Sequence, residues 1–340
     1  GSVSFSVSGG NPADTAELPV ILKFDLVLAP GKKPDSFGVF IDNVILLPVE
    51  LNCPELYMFS GHSGDKVELC KVAGIACEWK LKNANPVIGT FDHPTDSACS
   101  FTATAPGKNT VQLVVGGKVA WEKTTEILDL KSRATWGPEA VVLSEMSGVM
   151  RAPPTPPGTG TPITQIFNLT YHHSANAGDG VTEIQRIQRA HKAEGLPYSL
   201  PEALGGHEKW GDIGYHFVLT KDGTVYEARK LEAAPGSPGG PYTLGADVLK
   251  KNTWAGIGLC MLGNYDTEVF SAAHQKDLEK VIAAICRRYK LKWNNVSYHS
   301  ARAAAPTPWD SAVYQTTHCP GAHVQDKAQE ISDHVRENLQ

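Results

Sequence analysis

His172, His299 and Cys319 are the residues of this chain best suited to act together. They stand in Tyr171-His172-His173-Ser174-Ala175, Ser297-Tyr298-His299-Ser300 and Thr317-His318-Cys319-Pro320-Gly321. Two imidazoles and one thiolate are borderline-soft donors that suit Zn²⁺, and three protein ligands leave the fourth tetrahedral position for water. That open position separates a catalytic zinc site from a structural one. Zinc lowers the pKa of water from about 15.7 to about 7, which makes a hydrolytic nucleophile available at neutral pH. A single His near an apolar strand is ordinarily a hydrogen-bonded core residue; three donors in three distinctive settings reverse that expectation for this set only. If 167–173 is a strand, His173 points to the face opposite His172. His191, His207, His216, His274 and His334 are read as structural or surface residues. Cys260 and Cys286 are read as buried small hydrophobes.

Between the first and second of these donors lies Asp212-Ile213-Gly214-Tyr215-His216-Phe217, followed by Lys221-Asp222-Gly223-Thr224-Val225-Tyr226-Glu227-Ala228-Arg229. The second stretch reads as a hairpin, with Asp-Gly supplying the positive φ of a tight turn. Ser132-Arg133-Ala134-Thr135-Trp136-Gly137 comes earlier, and Ala255-Gly256-Ile257-Gly258-Leu259-Cys260-Met261-Leu262-Gly263 precedes His299. With these ordered motifs, residues 131–340 resemble the N-acetylmuramoyl-L-alanine amidase and peptidoglycan recognition protein family, which includes phage amidases.

The resemblance implies an α/β domain with a central mixed sheet flanked by helices. It implies His172, His299 and Cys319 as zinc ligands, Tyr215 as the active-site tyrosine, and Thr317 at a position where relatives carry threonine or lysine. Cys260 falls where one branch of the superfamily places a catalytic glutamate, so the chain is assigned to the tyrosine-dependent branch. The expected reaction is hydrolysis of the amide between the lactyl group of N-acetylmuramic acid and L-alanine of the stem peptide. Zinc and the Tyr215 hydroxyl would hold the developing oxyanion, and one such donor contributes roughly 2.7–4 kcal/mol. Thr317 cannot act as a strong base, so it would orient water or substrate. Two other readings compete: a non-catalytic peptidoglycan-binding module, which Cys319 speaks against, and a zinc hydrolase of a different amide. Three features depart from the family pattern: the long stretch 300–318 before Cys319, the insertion Leu196–Glu202, and Asp247 where relatives often place a histidine. They bear on which stem peptide is preferred.

Helical patterning covers 181–194, 271–290 and 322–338, whereas the first part of the chain reads as all-β. Val20–Leu28, Gly38–Val49, Lys66–Lys71, Glu78–Leu81 and Cys99–Ala103 are short runs bounded by turn formers. Ser100–Gly107 leading to Thr110–Val115 loosely resembles the last strands of immunoglobulin-like modules, with Trp79 as the core tryptophan. The expected architecture is therefore multidomain: an all-β, Ig-like sandwich over 1–128 for binding or docking, and the amidase over 131–340. The Pro-rich segment Arg151–Pro162 is read as a loop inside the second domain. The sequence expects the 131–340 fragment to cut soluble muropeptides by itself.

Composition frames the partners. The 340 residues carry a net charge of −5, and residues 1–130 hold 10 Lys+Arg against 15 Asp+Glu. A basic face for nucleic acid is therefore disfavoured. No run approaches the ~20 apolar residues of a membrane span. Cys53, Cys70, Cys77 and Cys99 allow three pairings in an oxidising compartment, or four buried thiols in a reducing one. Peptidoglycan is the expected partner, with a secretion component or immunity protein as further candidates. Action is expected in the periplasm or cell wall, with secretion or delivery lacking a visible signal peptide. Antibacterial effector, phage lysin and remodelling enzyme are the roles left open.

Overall fold

The computed structural model describes residues 5–7, 22–24, 55–60, 65–69, 77–95, 99–141, 165–193, 212–229, 254–303 and 318–339. Cys53, Cys70, Asp247, Thr317 and the segments Gly38–Val49, Arg151–Pro162 and Leu196–Glu202 lie outside them. The chain divides into two compact units, Gly1–Val44 and Ile45–Gln340. In the first, strands β1 (Phe5–Val7) and β2 (Leu22–Phe24) pair antiparallel.

The second unit begins with β3 (Leu56–Ser60), β4 (Lys66–Leu69), β5 (Cys77–Leu81), β6 (Gly89–Phe91), β7 (Cys99–Ala103), β8 (Gly107–Val115) and β9 (Lys118–Lys131). Strands β4, β7 and β6 form one antiparallel sheet, while β5, β8 and β9 pair antiparallel in another. The alternation of β7, with Cys99, Phe101 and Ala103 buried and Ser100 and Thr102 half-buried, aims its apolar side into the space between the sheets. Leu56, Met58, Val67, Trp79, Ile88, Val111, Leu113 and Ile127 fill that space. The β8–β9 turn is made by Gly116 and Gly117 at φ 55° and 77°, the left-handed pair that a tight hairpin demands.

β9 does not stop at this sandwich. It runs on to Lys131, where Leu130 and Lys131 pair in parallel with Val225 and Tyr226. The remaining strands are β10 (Gln165–His173), β11 (Phe217–Leu219), β12 (Val225–Glu227), β13 (Trp254–Met261) and β14 (Val296–Tyr298). The resulting mixed sheet has the order β14-β10-β13-β11-β12-β9-β8-β5. β14, β10, β13 and β11 are mutually parallel, and β11–β12 is the expected hairpin, with Gly223 at φ 85°.

β3 pairs in parallel with β9, Leu56 opposite Thr125 through Ser60 opposite Asp129. Its alternate side chains enter two different cores. Leu56 and Met58 join the sandwich, and Tyr57 and Phe59 join the core of the second domain. Phe59 stacks on Phe217 with ring centroids 6.2 Å apart. The strand has every residue buried, as a strand covered on both faces must be.

Helices cover both faces of the second domain's sheet. On one face α1 (Gly180–Ala193) packs Ile184 and Ile187 against Trp136, Val218, Cys260 and Leu262. On the other, α2 (Ala272–Arg288) and α5 (Ala328–Leu339) bury Leu278, Val281, Ile282, Ile285, Ile331 and Val335 against Leu169, Tyr171, Ile257, Leu259 and Met261. Ser271 caps α2, its side chain accepting from the His274 amide, and Arg287 and Arg288 occupy the last turn, where cations favour the helix dipole. Two short helices, α3 (His299–Ala303) and α4 (Ala322–Gln325), and the 3-10 turns Arg133–Trp136 and Trp293–Asn295 complete the described elements. The helical pattern expected over 322–338 is thus two helices. Among the described residues no helix is long and apolar enough to cross a membrane.

Candidate functional site

The carboxyl ends of parallel strands are where open α/β sheets gather ligands, and the three predicted donors meet there. His172 is the penultimate residue of β10, and His299 follows β14 directly as the first residue of α3. Cys319 lies in the turn before α4. Their ligand atoms lie within 4.8 Å of one another, with His172 buried and the other two half-buried. The Cys319 Sγ is 3.6 Å from the His172 Nδ1, and the His172 and His299 ring centroids are 4.6 Å apart. Zn–S and Zn–N bonds of about 2.3 and 2.1 Å at the tetrahedral angle require an S···N edge of about 3.6 Å. This pair therefore stands at the spacing of a zinc tetrahedron, and His299 is close enough to complete a three-donor set.

Each donor is held by main chain. The Cys319 carbonyl accepts from the Ser300 amide at 2.9 Å, which ties the third donor to the residue after the second. Gly321 has φ 96°, and a Cβ there would meet the Tyr265 carbonyl carbon at 2.5 Å and the Asp266 nitrogen at 2.8 Å. Only glycine lets this turn pass so close to the 265–266 backbone. The Ala322 amide then donates to the Asp266 carboxylate and the His323 amide to the Tyr265 carbonyl.

Tyr215 comes to the same place from the segment before β11. Its ring centroid is 5.1 Å from that of His172. The phenol hydrogen-bonds the thiol of Cys260, whose pKa burial raises well above the ordinary range, with the charges of Cys319 and Glu183 adding to the rise. Cys260 is fully buried and directly opposite His172 in the β10–β13 register. It is a small buried residue, as the sequence suggested, and it is also the phenol's neighbour. Cys286 is buried in α2 with no role at the site. Thr317, the other residue the sequence singled out for the reaction, lies outside the described residues.

His191, expected as a structural or surface residue, stands beside Tyr215. Its ring lies 5.6 Å from that of Tyr215, and its Nδ1 accepts from the Gly214 amide at 2.9 Å. Desolvation, helped by the nearby Arg229 and Arg186 cations, pushes its pKa down to about 3. The imidazole is therefore neutral at physiological pH, and with Nδ1 accepting, its proton sits on Nε2. The signal was present: Ile184, Ile187, Gln188 and His191 fall on one face of α1, and the other three are buried against the sheet side that carries His172. His173 does point away. Its Nδ1 accepts from the Tyr265 amide, and burial takes its pKa down to about 4 despite Asp266 nearby.

Residues 163–322 match the N-acetylmuramoyl-L-alanine amidase family. Peptidoglycan-recognition protein SC2 of Drosophila melanogaster is 25% identical over 175 residues, spanning 49% of this chain and 76% of that protein. Its Drosophila simulans counterpart is 22% identical over 193 residues, 57% and 86% of the two chains. Among solved structures, Drosophila PGRP-LB superposes with a TM-score of 0.35 at 20% identity, covering 60% of this chain and 92% of that one. The N-acetylmuramoyl-L-alanine amidase LysC of Clostridium intestinale does so with a TM-score of 0.31 at 19% identity, covering 53% and 94%. The family match and these sequence relatives support an amidase or peptidoglycan-recognition assignment for the second domain.

Proposed function

We propose that this protein is a zinc-dependent N-acetylmuramoyl-L-alanine amidase, cleaving the amide between the lactyl group of N-acetylmuramic acid and L-alanine of the peptidoglycan stem. The observation that carries this is the meeting of His172, His299 and Cys319 at zinc spacing beside the Tyr215 ring, within the segment that matches the amidase family. His172, His299 and Cys319 would hold the metal. Bound zinc supplies a Lewis acid that makes water nucleophilic near neutral pH. Tyr215 donates its phenolic hydrogen to the scissile carbonyl oxygen as negative charge builds on it, a contribution of roughly 2.7–4 kcal/mol. Thr317 orients water or substrate through its hydroxyl. No side chain is acylated; the amide breaks by direct hydrolysis, with the proton lost by water passing to the leaving amine of L-alanine.

The β segment over 1–128 is proposed as an Ig-like binding or docking module for the wall, a secretion component or a partner such as an immunity protein. Action falls outside the cytoplasmic membrane, where peptidoglycan lies, and the roles that fit are antibacterial effector or lysin. One competing reading has its own support: the sequence relatives are named as recognition proteins, which favours a module that binds peptidoglycan without cutting it. Mass spectrometry of defined muropeptides after incubation with zinc-loaded protein separates the two. Release of intact stem peptide with a free L-alanine amino group supports the amidase. Retention of every muropeptide, with binding, supports the recognition module.

A further inference from the structure

Tyr215 belongs to no regular element, yet the segment carrying it, 212–216, is bonded at nearly every step. The Ile213 amide donates to Asp212 Oδ1 at 2.8 Å, and the Gly214 amide to His191 Nδ1. The Ile213 carbonyl accepts from Arg229 Nη1 at 3.1 Å, and the Tyr215 carbonyl from the Arg229 amide at 2.8 Å. His216 exchanges with both neighbours: its amide donates to the Gly258 carbonyl, and its carbonyl accepts from the Ala228 amide.

Behind this backbone lies a buried ionic cluster. Asp212 and Arg229 are each 1% exposed. Asp212 Oδ1 is shared by three donors: the Ile213 amide, Gln188 Nε2 at 2.8 Å and Arg133 Nη2 at 2.8 Å. Arg133 also donates to the Ala228 carbonyl, so one guanidinium bridges the start of the Tyr215 segment and the strand end that follows the hairpin. Burying such charges opposes folding by several kcal/mol per ion unless the geometry is excellent. Here that geometry is spent on five residues whose one catalytic candidate is Tyr215.

We infer that Arg229 is a positioning residue for Tyr215: its side chain holds the Ile213 carbonyl and its amide the Tyr215 carbonyl, and the Asp212–Arg133 pair locks the same segment, so that the phenol stays over the His172 ring. The inference rests on the proposed role of Tyr215 as oxyanion donor. On this reading Arg229 contributes no atom to the reaction. It acts through the placement of the phenol, and a displacement of about 1 Å at a reacting group lowers rate on the order of 10²-fold.

The test is a double-mutant cycle in the full chain with zinc bound, using Arg229→Lys, Tyr215→Phe and the double variant on a soluble muropeptide. Lysine keeps the charge but loses the planar fork. Arg229→Lys is expected to lower kcat about 10–100-fold, with KM within about twofold and zinc at wild-type stoichiometry. In the Tyr215→Phe background the same change is expected to cost almost nothing further, because the group it positions is gone. Full additivity of the two losses overturns the inference, as does a parallel loss of zinc or of near-ultraviolet circular dichroism, which marks a merely structural arginine. If Arg229→Lys does not fold, Asp212→Asn, which keeps the size and an acceptor oxygen, runs the same cycle with the same two outcomes. A Tyr215→Phe enzyme with unchanged kcat removes the oxyanion reading itself and this inference with it, a result distinct from additivity.

Discussion

Cys319 Sγ and His172 Nδ1 lie 3.6 Å apart although 147 residues separate them in the chain. A thiol and an imidazole gain little from each other at that distance, but it is the edge of a zinc tetrahedron. One zinc per chain is therefore expected by elemental analysis, falling close to zero in His172→Ala and Cys319→Ala. Metal that binds the folded state at a hundredfold excess over Kd adds about 2.7 kcal/mol, so Tm should fall on chelation and recover with zinc. A Cys319→Ala protein with full zinc and full activity would sink the assignment.

Tyr215→Phe keeps the ring against His172 and removes only the hydroxyl. The expected result is a kcat lower by about 10²–10³ with zinc content unchanged. Thr317→Ala is expected to cost less, roughly 0.5–1.5 kcal/mol, because a neutral hydroxyl orienting water contributes hydrogen-bond energy alone. Steady-state kinetics on one muropeptide checks both, and equal losses would mean the two hydroxyls have been ranked wrongly.

Gly321→Ala probes the third donor without touching it. A Cβ at φ 96° would press on the 265–266 backbone, and strain of about 1–3 kcal/mol has to be relieved by shifting the turn that carries Cys319. Zinc affinity should fall about tenfold or more, measured by competition with a chromophoric chelator. Unchanged affinity would show that the turn moves without its cysteine.

Stability should decline as the solution is acidified. His191 has its folded pKa near 3, below the ordinary 6.5, so between these values the unfolded chain binds the extra proton. Its contribution is fully present above about pH 6.5 and is lost as pH falls towards 3. Buried His274 is lowered by desolvation and works in the same direction. His334, raised by its bond to Glu279, works the opposite way, but it is only half-buried and so screened by solvent. Urea midpoints from pH 7 to 5 should drop, and less steeply in His191→Gln. A midpoint that rises over this range would refute the account.

Phe59 belongs to the all-β half in sequence and to the C-terminal half in packing. Arg288 of α2 lies 5.2 Å above its ring and bonds Asp65, and Lys280 of α2 reaches Glu126 of β9 at 2.8 Å. Phe59→Ala should destabilise by about 3–5 kcal/mol and move zinc-dependent and sandwich signals together in a single unfolding transition. A fragment 131–340 omits β3 and almost all of β9, so it exposes the side of α2 they cover. It is expected to unfold at lower urea than a fragment that starts before Leu56, and equal midpoints would restore the simpler division.

What the sequence made legible follows from how local each signal is. His172, His299 and Cys319 sit in short motifs with their own signatures, and the hairpin around Gly223 is written in its turn. The helices at 180–193 and 272–288 carry their period in the residues themselves. β3 is hard to read from sequence because Leu56-Tyr57-Met58-Phe59 does not alternate and its partner lies about seventy residues on; such an unbroken apolar run marks a strand covered on both sides. A joint at 128–131 follows from the change of composition there, whereas the backbone of β9 crosses it inside a sheet. The place of His191 is not legible in the sequence because its meaning lies in a neighbour, Gly214, that only the fold brings near.

That crossing strand has a practical meaning for anyone wishing to re-target this protein. A chain of two unlike halves invites recombination of those halves as interchangeable cassettes, joined wherever one composition gives way to another. Here a splice at 128–131 would sever a ladder at Leu130–Lys131 and strip Tyr57 and Phe59 from the interior of the C-terminal half. The transferable cassette begins ahead of Leu56 and carries the sandwich with it.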